Sequence, residues 1–186
     1  MVVSIIRSGT AILVTGIPGS GKTTLAENLS AEFRWPILST GDIARSVDPT
    51  GTSGGNLAHE PIFKSAFMAR VRDYEGIGQT FIIDGFPRSE VQLGYLPDSI
   101  AYPILLTCRA DIAADRLMRR ARSDDTPEII AKRITEQYTL LDLDHEDGWL
   151  RRVIPWGRAV NTSMKNADAI ADGWIAFFKG EKRQAF

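Results

Sequence analysis

Gly16-Ile17-Pro18-Gly19-Ser20-Gly21-Lys22-Thr23 sets an ammonium and a hydroxyl directly behind a glycine-rich turn. The run matches G-x-x-x-x-G-K-[ST] without a gap, between an apolar stretch and a segment of helical period. Glycine at these positions lets consecutive backbone N–H groups wrap an oxyanion. The helix that follows adds its N-terminal donors and dipole. The expected phosphate-binding set is Gly16, Pro18, Gly19, Ser20, Gly21, Lys22, Thr23 and Thr24. Within it Lys22 reaches the β- and γ-phosphates and the Thr23 hydroxyl ligates Mg²⁺. A plain Gly/Pro turn between strand and helix is the alternative, and the loop alone does not say what becomes of the phosphate.

Three further groups bear on that. Asp84 closes an apolar run, where a carboxylate can hold a water of the Mg²⁺ shell or simply cap a turn. Arg45 and Arg88 each follow an apolar run by a few residues. Both can therefore point into the crevice at the carboxyl edge of a sheet; either alone could equally be a surface side chain. Arg116, Arg119 and Arg120, at i, i+3 and i+4, share one helix face. They form a solvated basic face or a site for an anion. The chain holds 16 Arg against 6 Lys, six of the Arg between 109 and 133, and only Arg grips phosphate with a planar fork.

Leu38-Ser39-Thr40-Gly41-Asp42-Ile43-Ala44-Arg45, Asp84-Gly85-Phe86-Pro87-Arg88 and Arg122-Ser123-Asp124-Asp125 followed by Arg133 closely resemble the adenylate kinase branch of the nucleoside monophosphate kinases. The resemblance runs over most of residues 11–140 in the family's order. It implies transfer of a phosphoryl group from ATP, with Mg²⁺, to a nucleoside monophosphate, most readily AMP. Arg45 and Arg88 would clamp the acceptor phosphate, Thr40 and Gln92 would meet the adenine, and Gly85 would allow close approach. Gln92 is chemically apt, since an amide both donates and accepts; an exposed helix position is its other reading. Arg116, Arg120, Arg122 and Arg133 would close over the triphosphate. Lys22, Arg88, Arg120, Arg122 and Arg133 are thus the catalytic set, with Thr23 and Asp84 at the metal. Asp124 and Asp125 either orient these Arg or cap the helix that starts near Pro127.

The chain departs from the family in three places. Only Ala121 stands between Arg120 and Arg122, so the lid, over 119–126, is rudimentary. The expected monophosphate-binding subdomain, 46–78, is compact and Gly-rich. Lys22 is followed by Thr23-Thr24, where most adenylate kinases have Gly after the Lys.

The elements that must position these groups alternate in period. Apolar runs at Thr10–Thr15, Pro36–Ser39, Thr80–Asp84 and Tyr102–Cys108, with Gly157–Thr162, supply five strands. Helical spacing marks Gly21–Phe33, Gly41–Ser46, Pro61–Tyr74, Asp111–Arg120, Pro127–Leu141 and Asn166–Lys179, and Asp48–Asn56 is a loop. Strand and helix in turn build a three-layer α/β fold, a five-stranded parallel sheet with helices on both faces. At 186 residues this is one domain.

A net charge of −1 with 44% hydrophobic and 24% charged residues gives no electrostatic basis for a nucleic-acid or membrane partner. The expected partners are small-molecule nucleotides, with the chain a monomer. No apolar stretch nears the ~20 residues needed to span a bilayer. Cys108, the sole cysteine, excludes an internal disulfide and fits a reducing, cytoplasmic setting. His59 and His145 stand apart from every motif, so general-base chemistry by histidine is not indicated. Two other functions fit the phosphate loop: a P-loop kinase with a deoxynucleotide or sugar acceptor, and a nucleotide-binding regulatory module with little transfer.

Overall fold

Ala11–Gly16, AILVTG, is buried at all six positions and forms the middle strand, β1. A run apolar at consecutive positions suits a strand covered on both faces. In the computed structural model, residues 7–53, 56–120, 125–141 and 158–181 are described. Ala121, Arg122 and Asp124 lie outside them, as do His145, Trp149 and Trp156. Around β1 stand β2 (Ile37–Ser39), β3 (Phe81–Asp84), β4 (Ile100–Thr107) and β5 (Arg158–Asn161), all parallel, in the order β2-β3-β1-β4-β5. The helices are α1 (Lys22–Phe33), α2 (Thr40–Val47), α3 (Glu60–Gly76), α4 (Glu90–Leu93), α5 (Ala110–Arg120), α6 (Pro127–Leu140) and α7 (Ala167–Phe178).

Alternate residues of each strand go to opposite faces. Ile12, Val14, Ile82, Ile104 and Leu106 pack with Leu25 and Leu29 of α1 and Ile170, Trp174 and Phe178 of α7. Ala11, Leu13, Phe81, Ile83 and Leu105 pack on the other face with Phe63, Phe67 and Val71 of α3 and with Phe86 and Tyr95. A third cluster, Ile17, Cys108, Ala113, Leu117, Ile130 and Ile134, joins the loop after β1 to α5 and α6. Three layers and five parallel strands agree with the sequence reading. Among the described residues no helix is long and apolar enough to cross a membrane.

The register decides what meets at the carboxyl edge. Val14 of β1 and Ser39 of β2 both pair with Asp84, the last residue of β3. Gly16 pairs with Leu106, and Thr107 with Asn161. The chain leaves β1 toward β2 on one side and reaches β4 on the other, so a crevice opens above β1. The loops after β1, β2 and β3 all empty into it.

Candidate active site

One cleft of about 1260 Å³ lies along this edge, lined by the loop after β1, the start of α2, the Asp84–Arg88 turn and parts of α5 and α6. A single drug-sized ligand usually occupies a pocket of roughly 300–1,000 Å³, so there is room for more than one small molecule. Lys22, Arg45, Arg88, Arg116, Arg120 and Arg133 line it, against the carboxylates of Glu27, Asp42, Asp84 and Glu136.

The loop from Gly16 to Gly21 is built for close approach. Gly19 has φ +79°, and a Cβ there would stand 2.4 Å from the Ala113 carbonyl oxygen of α5; any side chain would push the loop off that helix. Ser20 is fully buried, its N–H bonded to the Ile17 carbonyl at 3.2 Å and its Oγ without a hydrogen-bond partner. Ser20 therefore faces away from the cleft, and any contact with phosphate falls to the backbone around it. Lys22 Nζ donates to the Ile17 carbonyl at 2.8 Å. Desolvation pushes the Lys22 ammonium down to about 8; Asp84 opposes this, while Arg88 and Arg120 add to it. Lys22 thus lies in the electrostatic reach of cations from two other segments.

Thr23 Oγ1 donates to Asp84 Oδ2 at 2.9 Å. Asp84 is 7% exposed, and its Oδ1 is buried with no hydrogen-bond partner. A buried carboxylate oxygen left unpaired is costly, and a hard cation with its water shell is the partner such an oxygen suits. Among the described residues no three His, Cys, Asp or Glu cluster to hold a metal by themselves. The donor set fits a cation that arrives with phosphate.

Across the cleft, Ser39 Oγ accepts from the Asp42 N–H and caps α2, a helix that the spacing of Gly41–Ser46 foretells. Thr40 is buried, and its hydroxyl donates to the Asp84 and Gly85 carbonyls at 3.0 and 2.8 Å. Only its lone pairs remain for a ligand. Arg45 sits one turn on, paired with Asp42 at 2.5 Å. Arg88 Nε donates to the Gly85 carbonyl at 3.1 Å. At Gly41 a Cβ would lie 3.2 Å from Arg88 Nη2 and 3.3 Å from Arg45 Nη1, so guanidiniums from two different strand ends converge over one glycine. Gly85, at φ +80°, leaves the same space on the other side, where a Cβ would come within 3.2 Å of Arg88 Nη2. The Phe86–Pro87 peptide is cis.

The three arginines of α5 separate. Arg119 pairs with Asp115 at 2.9 Å on the exposed surface. Arg116 donates to the Gly19 carbonyl (3.3 Å), to Thr162 Oγ1 (3.2 Å) and to the Thr162 carbonyl (2.8 Å). It brackets the phosphate loop to the end of β5 while lining the cleft. Arg120 Nη2 reaches Asp125 Oδ2 at 2.8 Å, and Arg133 Nη1 of α6 reaches Asp125 Oδ1 at 2.7 Å. The Asp125 side chain is fully buried between them. The cap of α6 is instead Thr126, whose side chain accepts from the Ile129 N–H. The two readings left open for the acidic pair thus resolve for Asp125: it orients arginines. Arg122, the remaining expected member, lies outside the described residues.

Gln92, on α4, is buried at 3% exposure and lines the cleft. Its Oε1 accepts from the Arg88 N–H at 2.7 Å, and its Nε2 donates to Glu60 Oε2 at 3.4 Å. Neither Glu60 nor the helix α4 stood out in the sequence. Four residues are too few to show a period, and the Glu60–Gln92 contact spans 32 positions. Ser89, whose side chain accepts from the Gln92 N–H, was the only local signal.

A family model described as an AAA domain matches residues 15–131. Adenylate kinase of Oenococcus oeni is 32% identical over 142 residues, 66% of this chain and 75% of that protein. Adenylate kinase 2 of Synechocystis sp. is 31% identical over 153 residues, 72% of this chain and 84% of that protein. Adenylate kinase of Nocardioides sp. is 28% identical over 166 residues, 73% and 86% of the two chains.

Proposed function

The chain belongs to the adenylate kinase family, a family of nucleoside monophosphate kinases, and we propose that it moves the γ-phosphoryl group of ATP onto AMP, giving two ADP. The observation that carries the reading is the convergence of Arg45 and Arg88 over Gly41 in the same cleft as Lys22, Thr23 and Asp84. A triphosphate binder needs one phosphate site; two facing sites, each with its own cations, suit a transferase.

Phosphoryl transfer passes through a loose transition state with charge on the equatorial oxygens, so positioning and electrostatic stabilisation dominate. The loop backbone from Gly16 to Gly21 holds the β-phosphate, and Lys22 moves from the Ile17 carbonyl to the phosphate oxygens. Arg45 and Arg88 fix the acceptor phosphate in line. Arg120 and Arg133, set by Asp125, meet the charge on the transferring group. Thr23 and Asp84 would hold Mg²⁺, which would supply neutralisation of phosphate charge. Arg116 keeps Gly19 in register for this. The acceptor is already an oxyanion, and no histidine base is required.

ADP formation with ATP, Mg²⁺ and each of AMP, dAMP, CMP, UMP, GMP and dTMP tests the reading. The expected result is the highest kcat/KM with AMP; no AMP-dependent ADP would overturn the substrate assignment.

A further inference from the structure

That Gln92 meets the acceptor base is what the resemblance to adenylate kinases implies, and the role of its neighbour Glu60 rests on that placement and on the proposed transfer to AMP. An amide has two N–H donors on one atom and two lone pairs on the other. Turned by 180°, it presents the reverse pattern in nearly the same space. Adenine offers a donor at N6 beside an acceptor at N1; guanine offers an acceptor at O6 beside a donor at N1. A glutamine free to turn over reads both purines. One held in a single orientation reads one.

Two neighbours hold Gln92, and they agree. The Arg88 backbone N–H can only donate, so the atom 2.7 Å from it must be Oε1. The Glu60 carboxylate can only accept, so the atom facing Glu60 Oε2 at 3.4 Å must be Nε2. Each contact uses one lone pair and one N–H, leaving one of each for a ligand. Glu60 is itself fixed, because the Tyr95 hydroxyl donates to its Oε1. Tyr95 is anchored by its ring, which packs on Phe86 and Phe67 with centroids 5.7 and 6.3 Å away. Burial first, and Glu60 second, hold the Tyr95 hydroxyl far above its usual range, so it remains a donor.

We propose that Glu60 is a specificity-determining, positioning residue: with Tyr95 behind it, it locks the Gln92 amide in the orientation that reads adenine and rejects guanine. Glu60 is not among the residues that line the cleft. It acts through Gln92, and its effect belongs in the choice between two purines rather than in transfer.

Glu60→Ala should lower the ratio of kcat/KM for AMP to that for GMP by about tenfold or more, with the change in KM. Glu60→Gln, whose side-chain oxygen can still accept from Gln92, should recover most of the ratio. Tyr95→Phe, which keeps the ring and frees the carboxylate, should lie between, and it decides the matter should Glu60→Ala fold poorly. Independently of turnover, the side-chain amide protons of Gln92, followed by NMR, should shift and exchange faster in Tyr95→Phe and Glu60→Ala. An unchanged ratio in folded variants, or unaltered Gln92 amide signals, overturns the lock. Wild-type protein without AMP turnover but with a Glu60-dependent amide signal would overturn the substrate reading and leave the lock standing.

Discussion

Thr23 and Asp84, 61 positions apart, meet at 2.9 Å because the helix after β1 begins beside the end of β3. The hydroxyl engages one carboxylate oxygen, and the other is buried and unpartnered. Asp84→Asn, nearly the same shape without the charge, should lower kcat on the order of 100-fold, the cost of removing one electrostatic group from such a site. Thr23→Val should cost less. A titration of rate against Mg²⁺ checks both: half-saturation should move to higher Mg²⁺ in each, and an unmoved curve in Asp84→Asn contradicts the metal role.

Arg45 and Arg88 converge over Gly41. Hydrogen bonds to charged groups contribute about 1.5–3 kcal/mol, which is about 10- to 150-fold in affinity. Arg45→Ala should raise KM for the acceptor by that factor and leave KM for ATP within about twofold. Arg88→Ala should lower kcat as well. Equal effects on both substrates would contradict separate phosphate sites.

Asp125 is buried between Arg120 and Arg133, whose side chains are 40% and 22% exposed. Its removal leaves two guanidiniums repelling each other in a partly solvated setting. Full burial would make that a loss of about 3–5 kcal/mol; solvent screening of the arginines brings it to about 1–3 kcal/mol. Asp125→Asn should therefore lower Tm by several degrees. Nucleotide, whose phosphates can take the carboxylate's place, should narrow the gap to wild type. Thermal melts with and without ATP measure this.

Desolvation pushes the Lys22 ammonium down to about 8. A lysine whose pKa lies below its unfolded value is less readily protonated in the native state. The free protein therefore loses this charge as pH rises through about 8, well before an exposed lysine would. ATP affinity should fall above that pH by up to tenfold per unit, and binding there should take up a proton. Calorimetry at pH 7 and 9 in two buffers of different ionisation enthalpy reads both effects; a flat profile contradicts them.

Much of this site is legible in the residues alone. Short apolar runs rich in branched residues and bounded by glycine, such as AILVTG, suit a strand covered on two faces, and the strand-to-helix turns carry their chemistry at fixed spacing. Side-chain pairings between distant segments are less accessible. Helical spacing put Arg116, Arg119 and Arg120 on one face, yet each has a different partner, because Thr162, Asp115 and Asp125 come from different elements. Glu60, Gln92 and Tyr95 are joined only by the packing of α3 against the Phe86 turn. Nothing local to Glu60 records that contact. Ser20 sits within the loop motif beside Gly21 and Lys22, but its hydroxyl turns inward.

Transfer and hydrolysis leave different products from the same ATP. Transfer to AMP yields two ADP for each ATP consumed and no phosphate; hydrolysis yields one ADP and one phosphate. With Mg²⁺, ATP and AMP, the facing phosphate sites predict two ADP per ATP, abolished by omitting AMP. One ADP per ATP with release of phosphate, indifferent to AMP, would contradict them.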